Sequence, residues 1–321
     1  MIVLTGGAGF IGTNTLIGLN NVGEEDVLVV DNINTTLKWQ HLVGRKFYDY
    51  VHKNDFWTWI KEHPKVNINA VIHLGACSDT TEQDFDYFMN NNVRYSQRLW
   101  QLCAERGIPF IYASSAATYG SGEQGFSDKH EKIFDLRPIN AYGFSKHIFD
   151  LWALRQTLAP PKWAGLKFFN VYGPYEDHKG RMVSVVFHAY PQARDKGCIR
   201  LFKSHRDDYQ DGEQKRDFIY VKDVVDVMLF FMQDGNGCSG IYNVGSGVAR
   251  SFNDLAAAVF QAMGEKVEIE YFGMPLDLQP RYQYFTEAKI SKLRQSGFTT
   301  SITSLEKGVD EYVNYLDEAI P

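Results

Sequence analysis

Tyr142 and Lys146 have the residue types and the spacing to move a proton to or from one substrate atom. If the segment around them is helical, residues four apart share a face, so the phenol and the ammonium group can meet the same ligand. A tyrosine with the ordinary pKa of about 10 is a poor base at neutral pH. A neighbouring cation favours the phenolate and lowers that pKa, so the pair predicts acid–base chemistry.

Ser115 is a third candidate catalytic residue. It follows an apolar run, Pro109 to Tyr112, that predicts a strand. Its hydroxyl could donate a hydrogen bond to the substrate oxygen that the tyrosine deprotonates. Tyr-x-x-x-Lys alone occurs by chance in a chain with 18 tyrosines. The serine ahead of the pair therefore makes catalysis the favoured interpretation.

A glycine-rich turn at the start of the chain indicates a dinucleotide site. Met1 to Thr5 is typical of a strand, Gly6 to Gly12 of a tight turn, and the stretch from Thr13 of a helix. Gly6 permits the turn, Gly9 lets the backbone approach a pyrophosphate, and Gly12 lets helix and strand pack closely. The helix N-terminus then offers unpaired N–H groups and a positive dipole end to the phosphates.

Asp31 lies where a carboxylate can accept hydrogen bonds from an adenosine ribose, at the end of the second predicted strand. A capping role at the strand end is the alternative. Taken alone, Asp31 favours NAD, because a carboxylate repels a 2′-phosphate. Lys38 and Lys53 could outweigh it by pairing with that phosphate. The residues by themselves leave NAD and NADP open.

Apolar strands alternate with amphipathic helices through the first half of the chain. Val27 to Val30, Ala70 to Leu74 and Pro109 to Tyr112 predict strands, and Met89 to Arg106 and Tyr142 to Thr157 predict helices. This alternation predicts an α/β fold with a doubly wound parallel sheet of the Rossmann type. The ligand should lie at the carboxyl ends of the strands, where the polar residues named above occur.

After Pro160-Pro161 the pattern changes, which predicts a smaller, mostly C-terminal substrate-binding lobe. Gly165 to Val171 predicts one more strand, and Lys203 to Asp217 a solvated loop. The division expected is a dinucleotide-binding Rossmann domain of residues 1–168 with about 218–248 and 286–298, and a substrate-binding domain of about 169–217, 249–285 and 299–321.

Composition excludes several classes of function. The chain has 321 residues, 44% of them hydrophobic and 22% charged, as expected for a globular protein. A net charge of −6 argues against a general nucleic-acid binder. The most apolar later run, Val224 to Met232, is too short to span a bilayer. Four scattered cysteines and the absence of a signal segment before the first strand predict a cytoplasmic protein without a metal site.

The glycine turn, Asp31, Ser115 and the Tyr142/Lys146 pair, taken in this order, resemble the extended short-chain dehydrogenase/reductase family. Members of that family bind NAD(P) and use a Ser/Thr–Tyr–Lys triad. Phe169 to Pro174 and Arg216 to Val224 are similar to the sugar-nucleotide epimerases and dehydratases within it. The resemblance covers essentially the whole chain.

A closer resemblance is to the ADP-L-glycero-D-manno-heptose 6-epimerase family. The segments that carry it are Thr5 to Gly12, Val29 to Asn32, Gly75 to Ser78, Ala113 to Gly120, His178 to Gly180, Phe187-His188 and Pro280 to Gln283. The resemblance implies a tightly bound NADP, with NAD as the alternative, and an ADP-heptose substrate. It also implies a homo-oligomer, a pentamer in that family, and a role in making the heptose of lipopolysaccharide.

The same resemblance, with the glycine motif, implies the site residues. At the cofactor it places Gly6, Gly9, Phe10, Ile11, Gly12, Asp31, Asn32, Lys38, Lys53, Leu74, Gly75, Ala76, Cys77, Ser78, Asn91, Lys146, Val171 and Lys179. At the substrate it places Ser115, Asn170, Arg181, His188, Phe202, Lys203, Ser204, His205, Arg216 and Tyr282. Tyr142 and Lys179 become the two acid/base residues, and Ser115 and Lys146 complete the catalytic set.

The expected reaction is a redox-neutral epimerisation at C6, by transient oxidation with bound NADP and return of the hydride to the opposite face. Two acid/base groups are needed because the C6 oxygen points to opposite sides in the two half-reactions. A hexose 4-epimerase or a 4,6-dehydratase is the first alternative, although Ala116-Ala117 stands beside Ser115 where a dehydratase would carry an acidic pair. A net oxidoreductase and a non-catalytic dinucleotide sensor are the others.

Overall fold

Strands and helices alternate along most of the chain, as the apolar pattern predicts. The structure is a computed structural model that describes residues 1–233, 235, 237–276, 278–279 and 282–319. The strands among these residues are β1 (Ile2–Thr5), β2 (Val27–Asp31), β3 (Asp49–His52), β4 (Ala70–His73), β5 (Phe110–Ser115), β6 (Trp163–Phe168), β7 (Asn170–Tyr172), β8 (Ile199–Phe202), β9 (Lys215–Tyr220), β10 (Gly240–Val244), β11 (Ala249–Ser251) and β12 (Ile269–Phe272).

The helices within the same described ranges differ widely in length. They are α1 (Phe10–Asn21), α2 (Phe56–Glu62), α3 (Phe85–Phe88), α4 (Tyr95–Arg106), α5 (His130–Ile133), α6 (Ala141–Leu154), α7 (Val185–Lys196), α8 (Val221–Met232), α9 (Phe252–Ala262), α10 (Ser291–Gln295) and α11 (Leu305–Ala319). A π-helical stretch, Met89–Arg94, joins α3 to α4, and 3-10 turns occupy Leu37–Leu42, Ala116–Tyr119 and Asp177–Met182. Where the chain is described, none of these helices has the length and apolarity needed to cross a bilayer.

Seven strands form one parallel sheet in the order β10-β6-β5-β4-β1-β2-β3. Helices α1 and α8 pack on one face, where Leu16 and Met228 belong to the core. Helices α2, α4 and α6 pack on the other face, around Phe56, Trp100 and Phe149. Both faces are therefore covered, which explains why the strands are apolar throughout. The prediction of a doubly wound parallel sheet is confirmed.

The second lobe is built from short sheets and three helices. One sheet has the order β11-β9-β7, and β12 pairs with β8 in another. Helices α7, α9 and α11 bury Tyr190, Phe260 and Tyr312 in a core of their own. The boundary expected between residues 217 and 218 falls inside β9, whose successor α8 packs on the large sheet. The division of the chain into domains stays a prediction.

Two connections differ from the sequence expectation. The strand expected over Gly165 to Val171 is interrupted at Phe169, whose N–H donates to the carbonyl of Val244. The chain leaves the large sheet here and continues as β7 in the small one. The loop expected over Lys203 to Asp217 is shorter, because β9 begins at Lys215. Lys215 pairs with Ser251 of β11, a contact that no local pattern could announce.

Candidate active site

Three neighbouring cavities follow the carboxyl ends of the strands. The glycine-turn cavity, about 320 Å³, is lined by Gly6, by Gly9 to Gly12 and by Leu74 to Ala76, among others. The Asp31 cavity, about 210 Å³, shares the wall formed by Asp31 and Lys38. The lobe-junction cavity, about 460 Å³, lies between the two lobes. Ligands of doubly wound sheets bind at this edge, so the three cavities form one candidate site.

The glycine turn brings α1 close to β1. A Cβ atom at Gly12 would lie 2.0 Å from the carbonyl oxygen of Gly6, so a side chain there would force the helix away. Helix α1 begins at Phe10, and its first turn, Phe10 to Thr13, consists of uncharged residues. Its free N–H groups and positive dipole end therefore face the glycine-turn cavity without competition from an internal carboxylate.

Asp31 is held by the glycine turn and by a lysine. Its carboxylate accepts hydrogen bonds from the N–H of Ala8 at 2.8 Å and from Lys38 Nζ at 2.8 Å. In the same cavity Lys53 Nζ donates to Asn91 Oδ1 at 2.6 Å. Burial lowers the pKa of Lys53, although the charge of Asp31 raises it. Asp31, Asn32, Lys38, Lys53 and Asn91 are thus brought together, as expected.

Helix α6 carries Tyr142 and Lys146 to the junction of two cavities. Asn140 caps the helix by accepting from the N–H of Gly143 at 2.7 Å. A Cβ atom at Gly143 would lie 2.6 Å from the carbonyl oxygen of Ala117, so glycine lets α6 touch the turn that follows Ser115. Tyr142 and Ser115 consequently line both the glycine-turn and the lobe-junction cavity.

The surroundings of Tyr142 act on its pKa in opposite directions. Burial raises the pKa of Tyr142, and a hydrogen bond with Ser115 opposes the rise. The buried Lys146 ammonium donates to the carbonyl of Ala113 at 2.8 Å, and it is not among the groups that shift the pKa of Tyr142. Burial lowers the pKa of Lys146 itself to about 8. In the protein alone, burial therefore has the largest effect on the pKa of Tyr142, and the lowering expected from Lys146 together with a positive nicotinamide ring stays a prediction.

Lys179 is the second acid/base candidate, and it lines the same two cavities as Tyr142. It lies on the 3-10 turn Asp177–Met182, with its Nζ 5.1 Å from the ring centre of Phe10. Its Nζ is 3.7 Å from a carboxylate oxygen of Glu176. Burial lowers the pKa of Lys179, and Glu176 acts against this shift.

The residues expected at the substrate divide into three groups. Asn170, Arg216 and Tyr282 line the lobe-junction cavity together with Ser115. The Arg216 guanidinium is buried and lies 5.2 Å from the ring centre of Tyr282. His188 and Phe202 line a separate apolar cavity of about 300 Å³, which shares Tyr282 with the lobe-junction cavity. The remaining group lies away from both of these cavities: Arg181, Lys203, Ser204 and His205.

The contacts of this last group explain its position. Arg181 and Lys203 are exposed. Ser204 and His205 lie on the loop after β8, where the Nδ1 atom of His205 is 2.8 Å from the hydroxyl of Tyr284. Their assignment to a substrate stays a prediction. The motif residues Pro280 and Arg281 lie outside the described residues.

Most residues expected at the cofactor line the glycine-turn cavity. They include Gly6, Gly9, Phe10, Ile11, Gly12, Leu74, Gly75, Ala76, Ser78, Lys146, Val171 and Lys179. Cys77 differs, because its backbone is hydrogen-bonded to Asn92: its N–H donates to the Asn92 side chain and its carbonyl accepts from it, each at 2.9 Å. Its backbone therefore shapes the loop after β4, while neither the glycine-turn nor the Asp31 cavity is lined by its side chain.

Two residues of the site were missed in the sequence. Glu176 is fully buried beside Lys179. His41 contacts the carbonyl of Ala8 at 3.3 Å and the carboxylate of Asp177 at 2.9 Å, which joins the turn after β2 to the segment that carries Lys179. The polar side-chain atoms of His41, Asp177 and His178 lie within 4.8 Å of one another, a cluster that sequence spacing did not reveal. A polar run after Gly173-Pro174 was the available signal for Glu176, but nothing in it indicates burial.

Comparison with known proteins assigns the chain to a family. A sequence model described as the NAD dependent epimerase/dehydratase family matches residues 2–245. The chain belongs to this epimerase/dehydratase family. A nicotinamide cofactor accompanies membership, and the residues present fit one: only glycine fits at position 12, and the start of α1 faces the adjoining cavity.

Close relatives narrow the position of this epimerase/dehydratase within the family. It is 51% identical to the ADP-L-glycero-D-manno-heptose-6-epimerase of Fusobacterium nucleatum, over 98% of each chain. It is also 51% identical to the enzyme of that name from Nitratidesulfovibrio vulgaris, over 100% of this chain and 99% of the relative. The crystal structure of the Helicobacter pylori ADP-L-glycero-D-manno-heptose-6-epimerase is similar, with a TM-score of 0.82, 28% identity, and coverage of 98% and 96%.

Proposed function

We propose that the protein epimerises C6 of an ADP-linked manno-heptose, converting the D-glycero to the L-glycero isomer without net redox change. The observation that carries the proposal is the placement of Tyr142 and Lys179, which both line the two cavities that meet at the lobe junction. An epimerisation of this kind needs proton transfer at an oxygen that occupies two positions in turn. The full-length relatives named above support the same substrate.

The chain's own residues handle the proton and the orientation of the substrate. One of Tyr142 and Lys179 removes the proton of the C6 hydroxyl, and the other returns a proton after the side chain of the sugar has turned. Ser115 donates a hydrogen bond to the C6 oxygen. Lys146 orients the ligand on the side of the site where Tyr142 lies. The nicotinamide, when bound, supplies the hydride acceptor and donor for C6.

We further propose that the cofactor is NADP. Asp31, the residue that would repel a 2′-phosphate, is already paired with Lys38 at 2.8 Å. Lys53 adds a second ammonium group to the same cavity. The two lysines leave this end of the cleft with a surplus positive charge, which favours a phosphate over a free hydroxyl.

The remaining substrate residues would hold the nucleotide half of ADP-heptose. Arg216 lines the lobe-junction cavity with Asn170 and suits the diphosphate, because a guanidinium binds phosphate oxygens in pairs. The apolar cavity that holds His188 and Phe202 adjoins through Tyr282 and suits a flat base. We assign the base to this cavity.

A dehydratase is the second candidate, and the wall of the site disfavours it. Ala116 and Ala117 line the lobe-junction cavity directly after Ser115, in the place where a dehydratase would need carboxyl groups. Methyl groups cannot carry the proton that leaves with water. A 4-epimerase would invert C4 of the sugar instead of C6, so the product of the reaction distinguishes the two activities.

The cellular setting is proposed on the same basis. Cys77, Cys103, Cys198 and Cys238 are all free thiols, as expected in a reducing cytoplasm. The product isomer is the form used for lipopolysaccharide, so we place the enzyme in that biosynthesis. We propose a homo-oligomer, in keeping with the family resemblance.

The decisive experiment offers ADP-D-glycero-D-manno-heptose to the purified protein and follows C6 by proton NMR in deuterated water. Accumulation of the L-glycero isomer with hydrogen retained at C6 supports the proposal. Unchanged substrate, or a product changed at C4, contradicts the substrate assignment, and extensive deuterium at C6 contradicts hydride return. Mass spectrometry of the small molecules released on denaturation distinguishes NADP from NAD.

A further inference from the structure

Glu176 is a buried carboxylate that the reaction as described does not use. It lies directly before the 3-10 turn Asp177–Met182, and its side chain is 0% exposed. Its oxygens accept hydrogen bonds from the N–H and the hydroxyl of Ser184. The hydroxyl of Tyr312, on α11, donates to it at 3.0 Å. A carboxylate buried this deeply needs such donors to remain charged.

The fourth group that contacts the Glu176 carboxylate is the ammonium group of Lys179, at 3.7 Å. The lysine side chain is 23% exposed, and the ring of Phe10 lies on its ammonium group. The carboxylate and the aromatic face both favour the cation. Because the aromatic ring and the carboxylate both limit its movement, the flexible side chain is restricted to the wall shared by the two cavities.

We propose that Glu176 is a positioning residue, whose buried carboxylate holds the Lys179 ammonium group at the junction of the two cavities and favours its cationic form. The inference rests on the proposed acid/base role of Lys179 and adds a residue that acts through it. Ser184 and Tyr312 in turn fix the carboxylate, so α7 and α11 both support the reacting group. The C-terminal helix would then contribute to the chemistry without touching the substrate.

The charged and titratable groups around the pair determine how it should respond to pH. Glu176 faces Lys179 and Tyr312, and Lys179 also has His178 beside it on the same turn. The carboxylate of Asp177 contacts the His41 ring at 2.9 Å. Burial raises the pKa of Glu176 and lowers the pKa of Lys179, while the charge of Glu176 raises that of Lys179. Removing the charge of Glu176 therefore leaves burial unopposed.

The test is competitive labelling of Lys179 with acetic anhydride over a range of pH, read by mass spectrometry of the peptides. It uses the protein as purified and requires no turnover. In Glu176→Gln we expect the labelling midpoint of Lys179 to move to lower pH by about one unit, the size of one close charge. Tyr312→Phe is the matched control, because it removes a donor and keeps the carboxylate. A midpoint in Glu176→Gln equal to that of the wild type overturns the inference.

Activity provides a second and separate measurement. In Glu176→Gln the high-pH limb of kcat should move to lower pH, with about a tenfold loss of kcat above the new limb. Glu176→Asp keeps the charge, so its high-pH limb of kcat should lie between those of Glu176→Gln and the wild type. If Glu176→Gln does not fold, Glu176→Asp carries the labelling test, because its shorter side chain draws the carboxylate away from the ammonium group and should lower the Lys179 midpoint by part of that unit. A midpoint equal to that of the wild type would then overturn the inference. A wild type that fails to epimerise contradicts the proposed function, whereas an unmoved midpoint contradicts only the role of Glu176.

Discussion

We expect single residues at the junction of the two cavities to decide the proton chemistry. In its protonated form Tyr142 is neutral and Lys179 is cationic, and burial shifts the pKa of both. It favours the neutral phenol and the neutral amine, so that both groups are drawn toward their uncharged forms. Partners then adjust each residue separately: Ser115 for the phenol and Glu176 for the amine.

The clearest expectation at this scale concerns the phenol. Tyr142→Phe removes the hydroxyl and keeps the ring, so kcat should fall by about 10²–10⁴-fold, the range for one acid/base group. Steady-state kinetics on the ADP-heptose substrate measure the loss. Cofactor retention, checked by absorbance after gel filtration, should match the wild type. An unchanged kcat would remove Tyr142 from the mechanism.

Cofactor preference also belongs to single residues. Lys53→Met should weaken retention of NADP by about 10- to 100-fold relative to NAD, because a charge-assisted hydrogen bond is worth about 1.5–3 kcal/mol. Equilibrium dialysis of the apoprotein with each cofactor provides the ratio. Lys46→Met, at an exposed lysine paired with Glu25, is the matched control. Equal losses for both cofactors would contradict a contact to the 2′-phosphate.

At the scale of elements, the approach of α6 to the turn after β5 brings the candidate catalytic residues Ser115 and Tyr142 together. Two local features govern that approach: the Asn140 cap, which begins the helix, and Gly143, which lets it contact Ala117. Ser115 ends β5 and Tyr142 lies in the first turn of α6, so a shift of this helix separates them.

Gly143→Ala tests this contact. The added methyl group would lie 2.6 Å from a backbone oxygen, so α6 must move. We expect a loss of about 1–3 kcal/mol in the free energy of unfolding, and a fall of kcat on the order of 10²-fold from misplacement of Tyr142. Urea unfolding and steady-state kinetics measure the two effects. Gly273→Ala, where the methyl group meets no atom within 4 Å, should change neither; equal behaviour of the two variants would argue against the contact.

At the scale of the whole molecule, buried histidines join the layers of the large lobe. His73 on β4 is 2% exposed and bridges Thr5 on β1 at 2.6 Å and Ser96 on α4 at 2.7 Å. Burial lowers the pKa of His73 to about 3 and that of His147 to about 4. Both rings are therefore neutral in the folded protein at physiological pH.

Acid should consequently destabilise the fold. The unfolded chain takes up protons at these histidines below about pH 6.5, but the folded chain does so only near pH 3 to 4. The stabilisation is complete above pH 6.5 and is lost as the pH falls, by about 1.4 kcal/mol per unit for each histidine. Urea unfolding at pH 7, 6, 5 and 4 measures the slope. An exposed-site variant, His63→Gln, is the control; a free energy of unfolding that stays constant from pH 7 to 4 would contradict the expectation.

Local residue order was enough to indicate the fold class and the glycine turn, and to select candidate reacting groups. The periodicity of apolar residues reports burial on one or two faces, and therefore predicts strands such as β2 and β4. Glycine spacing reports a turn that no other residue can make. Ser115, Tyr142 and Lys146 were selected as candidates because their types and spacing are typical of one kind of reaction.

Only the tertiary structure decided which partners these groups have. Glu176 contacts Lys179 and Ser184 nearby in the chain, but a further partner, Tyr312, lies on α11. Lys146 bonds the carbonyl of Ala113, and burial has the largest effect on the pKa of Tyr142. Burial and long-range pairing depend on how separate elements pack together. Sequence spacing carries little information on either, because both arise from contacts between residues that are distant in the chain.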